Sequence, residues 1–145
     1  LGEADEERLS SAVDTAQARD VVNAKENGYD SVLEQNGRNL SGGQKQRISV
    51  ARAIAKRPEV LILDDSSSAL DNITDLKLRR AIKSLDYPVT TFIVSQRASS
   101  VLGADKIIVM DEGEIVGTGT ADELRKTCAV FREIEDSQSS SEARK

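Results

Sequence analysis

The most restrictive feature of this sequence is a run of four aliphatic residues, Val60 to Leu63, followed directly by two carboxylates. A short, continuous apolar run is typical of a strand that is covered on both faces, as in a parallel sheet. The carboxylates, Asp64 and Asp65, then stand at the carboxyl end of this strand. The feature therefore predicts a buried strand that presents two acids at one end.

The segment after these acids predicts a partner strand. Asn72 is placed to cap a helix whose apolar residues recur at helical spacing up to Leu85. Pro88 then leads into an apolar strand at 89–94. Strand, helix and strand in this order predict a parallel pair.

Two further patterns describe the C-terminal part. Residues 106–110 and 115–118 flank an Asp-Glu-Gly-Glu turn, which predicts a hairpin. Thr120 and Glu123 have capping-box spacing, which predicts a last helical region after them. The final residues, 137–145, are small, polar and charged, so we expect a disordered tail.

The N-terminal part has helical patterns. An acidic first turn after Asp5 precedes apolar residues at helical spacing, and a polar loop follows over 31–39. Ser41 then opens an amphipathic run that stops before Pro58, and Gln44 stands at capping-box spacing from Ser41. These patterns predict a mainly helical region ahead of the aliphatic strand.

Composition disfavours several classes of function. The 145 residues fit one ordinary domain, and the net charge of -5 does not favour a direct nucleic-acid partner. The single cysteine, Cys128, cannot form an internal disulfide, which agrees with a reducing compartment. No apolar run approaches the roughly 20 residues that span a bilayer, so we expect a soluble segment.

The most informative segment contains Ser41, Gly42, Gly43 and Gln44, because two glycines lie at the start of a helix. Glycine lets a ligand approach the backbone closely, and the first N–H groups of a helix have no intrahelical partners. Since the helix dipole is also positive there, this turn can receive a phosphate, with the Ser41 hydroxyl as a further donor. Taken alone, the same residues are compatible with a plain turn.

Other motifs agree, and their order along the chain resembles that of ABC ATPases. Leu40 to Gln44 resemble the family's signature motif, and Leu61 to Asp65 resemble its Walker B strand. Ser68 to Asp71 are similar to the D-loop, and Ser95 to Arg97 occupy the position of the switch loop. Several motifs in the right order are more specific than any one of them. The chain therefore resembles an exporter-type ABC transporter nucleotide-binding domain.

The resemblance implies an α/β fold: part of a P-loop NTPase (RecA-like) core with a parallel sheet, joined to the ABC α-helical subdomain. Residues 1–57 would form the helical subdomain, and residues 58–136 the C-terminal part of the ATPase core. In the family, two such domains close head to tail on ATP and Mg²⁺. We therefore expect two partners, a second nucleotide-binding domain and a transmembrane domain, at the cytoplasmic face of a membrane.

The resemblance also implies roles for individual residues. The signature residues Ser41, Gly42, Gly43 and Gln44 would contact ATP that is held by the partner domain. Asp64 matches the acid associated with Mg²⁺, a hard cation that a carboxylate suits. The expected catalytic base and switch residue are Asp65 and Gln96. The D-loop residues expected to take part in nucleotide binding are Ser68 and Asp71.

The phosphate-cradling motif G-x-x-x-x-G-K-[ST] does not occur in these residues. The family places it upstream, so we expect Leu1 to be a truncation point and the chain alone to be inactive. In the family's sheet, the strand before that motif lies between the switch-loop strand and the hairpin. Without it we expect exposed apolar surface and unpaired strand edges, and hence a chain that is marginal, swapped or aggregation-prone.

Three positions depart from the family's pattern. Asp65 stands where a longer glutamate is usual, and Gln96 stands where a histidine is usual. A glutamine amide can bond to phosphate but cannot become cationic. We therefore expect a slow or non-hydrolytic site in an asymmetric heterodimer, with a working homodimer as the alternative. The stretch 31–37, which contacts the membrane domain in exporters, also departs, with Glu34 and Gln35 replacing its usual Gly and Glu.

Two other classes of function stay open on the sequence. One is a soluble ABC ATPase that acts on DNA ends or ribosomes, which a phosphate loop preceded by hydrophobic spans would exclude. The other is a non-enzymatic interaction module, which ATP binding by the chain would contradict.

Overall fold

The computed structural model describes residues 5–142, which divide into two compact units after Val94. The first unit contains, in chain order, α1 (Glu6–Thr15), α2 (Arg19–Asn23), two 3₁₀ turns (Gly28–Asp30 and Gln35–Gly37), α3 (Gly42–Ile54), β1 (Val60–Asp64), α4 (Asn72–Lys83) and β2 (Thr90–Val94). The second unit contains α5 (Ala98–Val101), β3 (Ile107–Asp111), β4 (Glu114–Gly119), α6 (Ala121–Thr127) and α7 (Ala129–Glu142). The mixed α/β architecture that the sequence predicts is confirmed.

The first unit is built around the predicted parallel pair. β1 and β2 align with Leu63 opposite Ile93 and Asp64 opposite Val94. Helices and strands share one core, which includes Ala12, Val13, Ala16, Val50, Ala51, Ile54, Leu61, Leu63, Leu78 and Ile82. α1 and α3 pack in the same core as β1 and α4, so this compact unit includes residues on both sides of position 57, where the resemblance implies a boundary between subdomains.

One face of this strand pair is open. In β1, Leu61 and Leu63 are buried, whereas Ile62 is 66% exposed. In β2, Phe92 and Val94 are 55% and 56% exposed. The prediction of a strand covered on both faces is therefore wrong for the described residues, whose packed core lies on one face only. The exposed apolar surface that the sequence predicts is present.

Side-chain caps set the starts of α1 and α4 in this unit. The Asp5 carboxylate accepts backbone N–H groups from the first turn of α1, and the predicted acidic residues follow it in that turn. In α4 the cap is Asp71 and not Asn72, since Asp71 has extended backbone angles and its carboxylate accepts N–H groups of the first turn. Asp and Asn cap helices about equally well, so residue type alone did not separate these neighbours.

The second unit is built on the predicted hairpin. β3 and β4 are antiparallel, with Asp111 opposite Glu114 across the turn. The predicted capping box of Thr120 and Glu123 is confirmed at the start of α6. The hairpin and the last helices share a core of Ile107, Val109, Ala121, Leu124, Cys128 and Phe131.

The helix α7 differs from expectation, because it continues to Glu142 whereas the sequence predicts a disordered tail from 137. Its extension is supported by a contact that residue type does not reveal: the Gln138 side chain bonds to the backbone of residues 96 and 98. Residues 143–145 of the predicted tail lie outside the described residues. None of the helices within residues 5–142 is long and apolar enough to cross a membrane.

Candidate functional site

The signature turn forms the capped start of α3. The Ser41 hydroxyl accepts the N–H of Gln44 at 3.3 Å, and the Ser41 N–H donates to the Gln44 side-chain oxygen at 2.9 Å. This reciprocal pair is the predicted capping box. It holds the turn in one conformation and leaves the N–H groups of Gly42 and Gly43 without intrahelical partners. An exposed turn of this kind can accept an anionic group.

Gly43 has a second role that the sequence did not reveal. A Cβ at Gly43 would lie 2.9 Å from the backbone oxygen of Ala69, closer than real Cβ atoms come to a neighbour. A Cβ at Gly42 would lie 3.3 Å from the Ala69 Cβ. The first turn of α3 therefore packs directly on the loop between β1 and α4, which we call the acid loop (residues 65–71). Small residues are needed here for packing as well as for access by a ligand.

The two acids stand where β1 meets the acid loop, as predicted. Asp64 is the last residue of β1, and Asp65 follows it with a φ of 45°, in the left-handed region. That conformation costs a non-glycine residue about 1–3 kcal/mol, so the surrounding structure must hold it. Part of the support comes from the Asp65 N–H, which donates to the Val94 oxygen at 3.0 Å. Both carboxylates are exposed and available to a ligand.

Gln46 supplies more of this support, and sequence reasoning missed it. Its side-chain nitrogen donates to the Asp65 backbone oxygen at 3.1 Å and to the Ser68 hydroxyl at 2.8 Å. Its side-chain oxygen accepts the Ala69 N–H at 3.0 Å. These partners lie 19 to 23 residues further along the chain, so no local pattern could have predicted the contacts.

The two predicted D-loop residues are engaged within the protein. The Ser68 hydroxyl donates to the Asp65 backbone oxygen at 3.0 Å, in addition to its bond from Gln46. Asp71 accepts the Thr74 N–H at 2.9 Å and the Thr74 hydroxyl at 2.7 Å. These hydrogen bonds from Thr74, the backbone one first, lower the pKa of Asp71 below its ordinary value. Asp71 therefore has a capping role beside any role toward a nucleotide.

Gln96 belongs to the second unit, in the segment that we call the switch loop (residues 95–98). The Ser95 hydroxyl accepts the Arg97 N–H at 3.0 Å. The Gln138 side chain donates to the Gln96 backbone oxygen at 2.7 Å and accepts the Ala98 N–H at 2.8 Å. The backbone on both sides of the switch position is thus held by α7, while the Gln96 residue remains exposed.

The residues present fit Mg²⁺ in the manner of a nucleotide site. Within residues 5–142, no group of three or more His, Cys, Asp or Glu side chains could enclose a metal ion. Mg²⁺ bound with nucleotides takes one or two carboxylates and completes its coordination with phosphate oxygens and water. A single exposed carboxylate at the end of β1, Asp64, matches that need and could contribute one ligand.

Comparison with known proteins agrees with this geometry. The family described as ABC transporter matches residues 3–68. An uncharacterized ABC transporter ATP-binding protein, YfiB of Bacillus subtilis (strain 168), is 43% identical over 132 residues, which are 91% of this chain and 23% of that protein. The beta-(1-->2)glucan export ATP-binding/permease protein NdvA of Brucella melitensis is 40% identical over 128 residues, 88% of this chain and 21% of that protein.

A solved structure of a bacterial Atm1-family ABC exporter with ATP bound superimposes with a TM-score of 0.86 at 29% identity, covering 95% of this chain and 24% of that chain. The fold and the ordered motifs thus match part of a nucleotide-binding domain of the P-loop NTPase class. Over 88–91% of its length this chain is similar to ATP-binding proteins of ABC transporters. It spans about a quarter or less of the length of these three relatives.

Proposed function

We propose that this chain is part of the ATP-binding subunit of an ABC exporter at the cytoplasmic face of a membrane. Its turn at 41–44 completes an ATP site on a second nucleotide-binding domain. The observation that carries the proposal is the exposed, capped signature turn, which packs directly on the acid loop. A γ-phosphate between the two domains would complete contacts with this turn, and its loss by hydrolysis would weaken them.

The remaining roles follow the positions in the structure. When ATP and Mg²⁺ are bound, the cation supplies charge stabilisation for the phosphates, and Asp64 provides it with a carboxylate oxygen. Asp65 is exposed at the start of the acid loop, where a carboxylate can accept a proton from an attacking water. Gln96 can donate a hydrogen bond from its amide to a phosphate oxygen.

Gly42 offers a direct test in the full-length assembly. In Gly42→Asp, a carboxylate stands where the turn would meet a phosphate, so we expect ATP hydrolysis to fall at least about 100-fold. Gly42→Ala is the matched control, since it adds the same Cβ against Ala69 without the charge and should retain most of the activity. Equal activity of the two variants would show that this turn does not face a phosphate.

The subunit's own site is proposed to hydrolyse ATP slowly, as the degenerate half of a heterodimer. Asp65 is one methylene shorter than the usual glutamate, and a positional error of about 1 Å can cost on the order of 100-fold in rate. Gln96 cannot carry the positive charge of a protonated histidine. Turnover of the full assembly should therefore rise when Asp65→Glu and Gln96→His are combined. An unchanged rate would defeat the proposal of a degenerate site.

A membrane domain is the second proposed partner. The loop that follows α2 exposes three apolar side chains in a short stretch: Val32 is 87% exposed, Tyr29 46% and Leu33 45%. Apolar side chains clustered at a surface favour a protein contact. Replacing Val32 and Leu33 together by Ser should uncouple ATP hydrolysis from transport, measured as transport per ATP in vesicles. Unchanged coupling would argue against docking at this loop.

A further inference from the structure

We infer that Gln46 is a positioning residue that fixes the candidate base Asp65 relative to the signature turn. The inference rests on the proposed function, in which the signature turn faces ATP on the partner and Asp65 faces the subunit's own ATP. Gln46 lies between these two places, in the second turn of α3. It would thereby transmit the state of one ATP site to the other within a single subunit.

The amide of Gln46 has both of its functional ends occupied by the acid loop. The side-chain nitrogen donates to the Asp65 backbone oxygen at 3.1 Å and to the Ser68 hydroxyl at 2.8 Å. The side-chain oxygen accepts the Ala69 N–H at 3.0 Å. An amide offers two donors and one acceptor oxygen, so all these bonds can form at once. Gln46 therefore forms hydrogen bonds with the acid loop at its first residue, Asp65, and near its middle, at Ser68 and Ala69.

Packing makes the connection stiff. Gly43, in the first turn of the same helix, lies against the Ala69 backbone so closely that a Cβ would be 2.9 Å from the Ala69 oxygen. The helix thus contacts the loop through a backbone approach and through the Gln46 amide. A displacement of the signature turn toward or away from a phosphate would be carried into the loop at both points.

Because Asp65 is the candidate base, the hydrogen bonds from Gln46 bear on the proposed hydrolysis of ATP. Its left-handed φ of 45° is maintained on both sides of the residue. The Asp65 N–H donates to Val94, and the Asp65 backbone oxygen accepts from Gln46 and from the hydroxyl and N–H of Ser68. Loss of the Gln46 bonds would let this turn relax toward a more ordinary conformation and shift the carboxylate. ATP affinity, which depends on the phosphate-binding turns, would change little.

The test uses full-length assemblies carrying either the native Asp65 or Asp65→Glu. In each assembly, residue 65 is also changed to Asn, and the resulting loss in the rate of ATP hydrolysis gives the part of the rate that depends on this carboxylate. Gln46→Met, which keeps length and volume but removes the amide, should lower that rate about tenfold with KM for ATP within about twofold, since small displacements of a catalytic group cost kcat. The matched control Arg52→Met, an exposed position on the same helix, should leave both constants unchanged.

Gln46→Glu separates the donors from the acceptor. An ionised glutamate can still accept the Ala69 N–H, but it cannot donate to the Asp65 oxygen or the Ser68 hydroxyl. We expect the same selective loss of kcat as in Gln46→Met, and this variant serves if Gln46→Met fails to assemble. A general structural effect would instead change KM and the melting temperature together with kcat.

The outcomes distinguish this inference from the proposed function. If the hydrolysis that depends on the residue-65 carboxylate is unchanged in both Gln46 variants, the inference is overturned and the proposed function still stands. Hydrolysis that does not depend on residue 65 in either assembly would remove the candidate base, and the inference would fall with it. An assembly that neither binds nor hydrolyses ATP would overturn the proposed function itself.

Discussion

The acid loop of the first unit and the switch loop of the second are held by the same device, a glutamine amide that donates to one backbone oxygen and accepts one backbone N–H. The surroundings of the two loops differ. The acid loop also packs on Gly43 and ends in the Asp71 cap of the 12-residue helix α4. The switch loop leads into the 4-residue helix α5, which has no side-chain cap bond. We therefore expect the switch loop to depend more heavily on the Gln138 amide than the acid loop does on the Gln46 amide.

The two glutamines also reach their loops from different helices. Gln46 reaches the acid loop from the helix that carries the signature turn, so the loop is joined to the surface that would face a partner's ATP. Gln138 reaches the switch loop from α7, 40 to 42 residues further along the chain. Two loops that would act in one reaction are thus controlled from different parts of the molecule.

The largest expected effect concerns the strand pair on which the acid loop is built. Because the apolar face of β1 and β2 is open, we expect the isolated 145-residue chain to self-associate, as measured by sedimentation velocity. Replacing Ile62 and Phe92 together by Thr should shift the chain toward monomer. Ile73→Thr, at an exposed position outside the strands, should not. A monomeric parent chain that melts cooperatively would contradict this expectation.

The close approach of α3 to the acid loop is tested by Gly43→Ala. The new Cβ would overlap the Ala69 oxygen, and overpacking of this kind costs about 1–3 kcal/mol. Alanine's better helix propensity offsets at most about 1 kcal/mol of this cost. Denaturant unfolding of the full-length assembly measures the difference. Gly103→Ala is the control, because nothing lies within 4 Å of a Cβ at Gly103, and equal stability of the two variants would show that this packing does not strengthen the acid loop.

Amide hydrogen exchange compares directly how much each loop is stabilised by its glutamine side chain. Loss of a neutral hydrogen bond costs about 0.5–1.5 kcal/mol, so Gln138→Met should accelerate exchange of the Ala98 amide by up to about tenfold. Gln46→Met should accelerate exchange at Ala69 by less, because Gly43 packing and the Asp71 cap remain. If exchange accelerates more at Ala69 than at Ala98, the acid loop depends more on Gln46 than the switch loop does on Gln138.

The smallest effect comes from the cap that ends the acid loop. Hydrogen bonds from Thr74 lower the pKa of Asp71, so the cap's contribution is fully present above the unfolded value of about 3.9 and is lost as pH falls through the lower folded value. Asp71→Asn, which cannot titrate, should therefore differ most from the parent at neutral pH and converge with it in acid. Melting curves across this range measure the effect, and a constant difference would contradict it.

Local chemistry explains which parts of the fold the sequence could predict. The capping boxes at Ser41 and Thr120 join residues three apart. The parallel pair follows from the order strand, helix, strand, and the hairpin follows from two short apolar runs with turn residues between them. In the candidate site, the exposed acids and the capped glycine turn were predictable for the same reason.

Features that depend on distant partners were not predictable. The contacts of Gln46 and Gln138 join residues 19 to 42 positions apart, and glutamine is an ordinary surface residue when seen in sequence alone. The α-helical extension through Gln138 was missed because its residues are polar. The expectation that β1 is covered on both faces was wrong because a continuous apolar run does not show how many of its faces are covered.

The proposed mechanism requires that the turn at 41–44 contact ATP held by another subunit. The most direct test is a structure of the full-length assembly trapped with ATP and Mg²⁺. We expect the Ser41 hydroxyl and the Gly43 N–H to lie at hydrogen-bond distance, about 3 Å, from γ-phosphate oxygens of a nucleotide bound by the partner. A closed assembly in which this turn lies far from every nucleotide would contradict the proposal.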